Sequence, residues 1–171
     1  KDRPLALRVR APRGWRVACG LDSAGGLFAA PSYDILADCP LEIGPFRPLA
    51  FRARGVPHRL VIHGDGNYDE KRLLRDIRKI VETEHRMMRH VPYRHYTFLL
   101  HATTEGGGGL EHLNSCSLQY PPFSFRNREK YEQFLELVAH EFFHLWNVKR
   151  IRPAALGPFD YEREVYTRLL W

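Results

Sequence analysis

Two histidines four residues apart, with a glutamate directly after the first, stand in the stretch VAHEFFHLWNVKRIRP, residues 138–153. A helix turns once in about 3.6 residues, so His140 and His144 share one face and their ring nitrogens can meet a single metal ion. Imidazole nitrogens suit zinc, which binds them at about 2.0–2.1 Å, and a catalytic zinc normally takes three protein ligands and one water. Glu141 sits roughly 100° around the helix from His140. From there its carboxylate can reach a zinc-activated water without ligating the metal, the position of a general base. His140 and His144 are therefore candidate Zn2+ ligands and Glu141 the candidate catalytic residue. HExxH alone is not specific in a chain with nine histidines; its place in a long amphipathic stretch is what strengthens it.

A second candidate lies upstream, in GGGGLEH, residues 106–112. A glycine-rich segment after a strand lets a peptide backbone approach and pair by strand addition. Gly108 and Gly109 are candidate substrate-binding positions. Glu111 would then be a carboxylate beside that edge, able to hold a substrate ammonium by a charge-assisted hydrogen bond. The residues alone leave a second reading open, an ordinary glycine loop with an exposed glutamate.

These groups need elements to hold them. Residues 1–64 read as short strands and Gly/Pro turns, with Leu5, Leu7 and Val9 alternating against polar neighbours, which suggests part of a β-sandwich. Near residue 68 the period changes. Leu73, Ile77, Ile80 and Met88 recur at helical spacing, and Asn67 with Glu70 resembles a capping box, predicting a helix over 68–89. YRHYTFLLHAT, 93–103, reads as a strand, GGGG as a loop, and Asn127–Asn147 as a helix carrying the HExxH motif. A further helix is expected from Tyr161 to the chain end.

The bulk properties exclude some classes. The chain has 171 residues, 44% hydrophobic and 27% charged, a globular balance. No apolar run approaches the ~18 residues of a membrane helix. The net charge of +6 is spread along the chain without a nucleic-acid-binding motif, so no nucleic-acid partner and no membrane partner are expected. Cys19, Cys39 and Cys116 form no CxxC pair, which favours free, buried thiols in a reducing, cytoplasmic setting.

HEFFHLWNVKRIRP, GPFDY and YTRLLW, with GGLEH upstream, resemble the glycyl aminopeptidase family of gluzincin metallopeptidases, relatives of the thermolysin-like and alanyl-aminopeptidase enzymes. RGW, SYDILADCPLEIG and RGVPHRLVIHG extend the resemblance over nearly the whole chain. It implies an α+β chain: residues 1–64 as the end of an N-terminal β-sandwich domain, and 65–171 as the truncated first half of a thermolysin-like (zincin) catalytic domain. It implies a zinc aminopeptidase that removes an N-terminal Gly or Ala from peptides with a free N-terminus. His140 and His144 fall on the ligand positions, Glu141 on the base and Glu111 on the glutamate that holds the substrate's α-amino group. The third ligand in the family is a glutamate expected beyond Trp171, often followed by a PDZ-type domain. Glu162 and Glu164 precede the matching place and are not favoured. The isolated chain is accordingly expected to be inactive, with Phe142 or Leu145 exposed and favouring self-association. A non-catalytic peptide-binding scaffold and an endopeptidase of the same fold are the alternatives.

Overall fold

The computed structural model describes residues 2–169. Four short strands, β1 (Leu5–Arg8), β2 (Arg16–Ala18), β3 (Asp22–Ala24) and β4 (Leu27–Ala30), are followed by α1 (Tyr33–Ala37) and β5 (Glu42–Gly44). They form two small antiparallel sheets, β1–β4–β3 and β2–β5. Leu21, Phe28, Cys19 and Cys39 fill the space between their strands and α1. All three cysteines are buried and unbonded.

The hairpin β6 (Pro48–Ala53) and β7 (Val56–His63) comes next, then α2 (Glu70–Met88), β8 (Tyr96–Ala102), β9 (Gly108–Glu111), β10 (Ser115–Tyr120) and α3 (Arg128–Phe143). Five of these strands form one mixed sheet in the order β6–β7–β8–β10–β9. β8 is central and parallel to both neighbours, while β9 is an edge strand, antiparallel to β10. Side chains alternate faces along a strand. On one face Leu60, Tyr96, Phe98, Leu100 and Leu118 meet Leu73, Ile77 and Val81 of α2 and Phe134, Val138 and Phe142 of α3, the main core. On the other, Val61 and Leu99 meet Ala18 of β2 and Phe46 of the segment after β5. The molecule is α+β, helices on one face of the sheet and small β-sheets on the other. No helix of the described residues is long and apolar enough to cross a membrane.

Several expectations change. The hairpin β6–β7, read from sequence with the leading β-domain, is hydrogen-bonded into the five-stranded sheet. α2 is capped by Asp69, whose side chain accepts from the Arg72 amide. Asn67 instead ties the segment before α3, bonding the Phe123 carbonyl and the Phe125 amide. Gly108 and Gly109, expected in a loop, are in β9, because pairing with Gln119 and Leu118 of β10 extends the backbone. Phe142 and Leu145 are fully buried, since they face the sheet and not solvent. The large exposed apolar residues include Phe123, Ile151, Tyr166 and Leu169.

The helix expected from Tyr161 does not form over the described residues, which hold a turn and irregular chain. Val165, Tyr166 and Leu169 are exposed, and a short helix without a buried face is not stable in water. Leu170 and Trp171, part of that expectation, lie outside the described residues.

Candidate active site

α3 positions the motif. Asn127 caps it by accepting from the Lys130 amide, and Tyr131, Phe134, Val138 and Phe142 bury one side. Phe142 packs between Tyr96, Phe98, His85 and Trp146, with ring centroids 4.9–5.8 Å away. That packing turns the neighbouring face, with His140, Glu141 and His144, toward β9.

The helix was expected to run to residue 147 but ends at Phe143, with His144 at its C-cap. The chain then doubles back so that the Asn147 carbonyl lies 2.6 Å from His144 Nδ1. A carbonyl only accepts, so Nδ1 carries the proton and Nε2 presents a lone pair. This is the outer hydrogen bond that metal-binding histidines characteristically make. His144 Nε2 lies 3.0 Å from His140 Nε2, with the rings edge to face. Two nitrogens on one tetrahedral zinc stand roughly 3.3–3.4 Å apart, from bonds of about 2.0–2.1 Å. The pair is therefore within a few tenths of an ångström of a zinc-binding arrangement.

Glu141 is 4% exposed, and its Oε2 has no hydrogen-bond partner among the described residues. Burial pushes its carboxyl above the usual range; His144 pulls it down, Glu111 pushes it further up, and His112 opposes. Glu111, Glu141 and His144 have ligand-type atoms all within 4.8 Å of one another. Gly109 explains how the carboxylate fits under the strand: a Cβ at this position would fall 2.5 Å from the Cδ and Oε1 of Glu141. Gly108, at φ +108, takes a backbone conformation that side chains rarely adopt. The donor set of two converging imidazoles, a buried carboxylate with an unpartnered oxygen and a second carboxylate suits zinc. Glu162 and Glu164 are exposed, Glu164 holding the Tyr166 hydroxyl, and neither belongs to this cluster.

Other residues around the site were not singled out by the sequence. His112, the last letter of GGLEH, is 7% exposed, with Nε2 3.4 Å from Ser117 Oγ and Nδ1 3.7 Å from Asp38. Asp38 accepts from the Leu113 amide at 2.9 Å and from Lys149 Nζ at 2.6 Å. Arg150 donates to the carbonyls of Leu113, Leu145 and Pro92 and to Asn114 Oδ1, at 2.9–3.1 Å. Arg150, from the basic run NVKRIR, thereby ties the end of α3 to the β9–β10 turn. The signal was weak because nothing local distinguishes a bonded Arg from a solvated one.

Residues 133–171 match the M61 glycyl aminopeptidase family, and residues 1–45 match the peptidase M61 N-terminal domain. The crystal structure of an aminopeptidase N family protein from Idiomarina loihiensis superimposes with a TM-score of 0.90 at 36% identity, over 97% of this chain.

The chain thus resembles M61 glycyl aminopeptidases at both of its ends.

The two matches fall in chain order, and the second contains the HExxH segment. The chain spans 31% of the Idiomarina protein's length. Legionella pneumophila aminopeptidase A, solved in complex with aspartic acid, shares only the fold: 16% identity and a TM-score of 0.51 over 84% of this chain and 18% of that one. No curated protein matches the chain.

Proposed function

We propose that the chain carries part of the active site of a zinc aminopeptidase that removes N-terminal Gly or Ala from peptides with a free amino terminus. The observation that supports it best is the convergence of His140, His144, Glu141 and Glu111 beside the open edge of β9. His140 and His144 would hold the zinc through Nε2. When bound, zinc supplies Lewis acidity, polarising the scissile carbonyl and lowering the pKa of water to near 7. Glu141 takes the proton of the attacking water at Oε2 and delivers it to the leaving amine. The raised carboxyl of Glu141 suits the first half of that exchange, since a carboxylate whose proton affinity is raised by burial is the stronger base. Glu111 holds the substrate ammonium, which places the first peptide bond, and no later one, against Glu141. The free edge of β9 pairs with the substrate backbone.

The test is hydrolysis of Gly- and Ala-terminated peptides by the complete protein, each peptide free or N-acylated, with Glu141→Gln alongside. The expected result is cleavage of free peptides only, reduced about 10²–10⁴-fold in Glu141→Gln with zinc content unchanged. Equal cleavage of acylated peptides would make the protein an endopeptidase. Peptide binding without cleavage would leave a non-catalytic scaffold.

A further inference from the structure

We propose a second metal site, for a divalent cation of the zinc class, formed by His63, His101 and Glu42 where the leading β-unit meets the five-stranded sheet. It stands independently of the site at His140. His63 ends β7 and His101 lies near the end of β8, and the two are direct partners in the parallel register. Direct partners project to the same face, here the one carrying Val61 and Leu99. Their ring centroids are 5.3 Å apart. Glu42, from β5, comes in from the opposite side of this interface and reaches both. Its Oε2 is 2.6 Å from His101 Nε2 and its Oε1 is 3.4 Å from His63 Nδ1.

The chemistry of this trio fits a cation of that class. Two imidazoles and one carboxylate suit zinc and similar divalent ions, whereas calcium and magnesium prefer all-oxygen shells. The carboxylate is fixed and desolvated, its side chain 10% exposed, while the rings of His63 and His101 are 58% and 43% exposed. The glutamate is thus a rigid anchor and the two rings have room to turn. Ligation needs the His63 nitrogen to swing toward Glu42 and the His101–Glu42 pair to open by about 0.7 Å, to ligand–ligand spacing. An open groove of about 370 Å³ beside His63, with Asp65 and Glu70 on its walls, gives a hydrated cation an approach. Once bound, the ion joins β5 to the β7–β8 pair, with which β5 shares no backbone ladder.

The experiment uses the protein with His140→Ala and His144→Ala, so that the first site is gone, titrated with Zn2+ and, for its visible spectrum, Co2+. One ion per chain is expected, with a rise in melting temperature and no response to Mg2+ or Ca2+. His63→Ala and His101→Ala, both at exposed rings, should each weaken binding by at least the roughly 10–100-fold that loss of an outer-shell partner costs. Their melting temperatures without metal show whether the fold is kept. The proposal is overturned by an absence of stoichiometric binding. Binding that survives both histidine substitutions would overturn it equally.

Discussion

At the scale of single residues, the candidate site rests on which atoms are left without partners and which positions lack a side chain. The HExxH histidines and glutamate were legible because helical spacing alone places them together. Gly109 was not, because its role is an absence: it makes room for the Glu141 carboxylate, and no pattern in GGGG says which glycine must be empty. Gly109→Ala should push that carboxylate aside while leaving the sheet paired. A displacement of about 1 Å near reacting atoms costs on the order of 10²-fold, so kcat should fall by about that much with the melting curve little changed. Normal turnover would show that Glu141 tolerates the shift. Glu111→Ala addresses substrate capture instead. It should lower kcat/KM for free-amine peptides by roughly ten- to a hundredfold, the effect of losing a charge-assisted bond worth about 1.5–3 kcal/mol. Under the proposed mechanism any slow reaction with N-acylated peptides is unaffected, and parallel losses would assign Glu111 to the loop's structure.

At the scale of elements, α3 was readable from its Asn127 cap and apolar spacing, but its end was not. His144 stops the helix through a bond to a carbonyl three residues on, a turn that apolar periodicity cannot register. α2 is capped by Asp69, two residues past the Asn67 that the sequence suggested, because Asn67 is taken up by the loop before α3. The β6–β7 hairpin looks the same whichever sheet receives it; its pairing with β8 leads us to propose that the catalytic unit begins near residue 46 and not 65. α2 also buries a polar cluster. His58 Nδ1 donates to the Val56 carbonyl and Nε2 accepts from Tyr93, whose hydroxyl accepts from His85 Nε2. Burial holds both histidines at about 4, so both are neutral in the folded state. Burial raises Glu84 to about 8 and keeps it protonated. The signs oppose each other. Below about pH 6.5 the unfolded chain takes up protons that folded His58 and His85 refuse, so stability is lost as pH falls from there toward 4. Above about 4.5 the unfolded chain releases a proton that folded Glu84 keeps, so this contribution is lost as pH rises toward 8. Two groups outweigh one on the acid side, and urea melts should show greatest stability near pH 6.5. Glu84→Gln should flatten the alkaline limb, and an unchanged limb would mean that Glu84 is not buried as a neutral acid.

At the scale of the whole molecule, the leading β-unit does more than cover one face of the sheet. Asp38, just after α1, holds the β9–β10 turn through Leu113 and the chain after α3 through Lys149. It therefore braces both segments that carry the candidate site. Burial raises its carboxyl, but His112, Lys149 and the Leu113 amide outweigh that and hold it below the usual range. Its contribution is present at neutral pH and is lost as pH falls below about 4. Asp38→Ala should cost about 1.5–3 kcal/mol in a urea melt at pH 7 and lower peptidase activity. A stable but fully active variant would confine Asp38 to the surface. None of this bracing was visible in sequence, because its partners lie 75 and 111 residues away.

The open edge of β9 has a cost in solution behaviour. A strand with unpaired outer amides and carbonyls offers that row of groups to the edge of any other chain, and unguarded edges are where sheets grow into aggregates. Here the strand is four residues long, two of them glycine, and it ends in the charge of Glu111. Short length and poor strand formers keep a stray pairing weak, and the half-buried Glu111 carboxylate repels a copy of itself. The features that under the proposed function would admit a peptide ending in an ammonium thus also keep identical edges apart at high concentration.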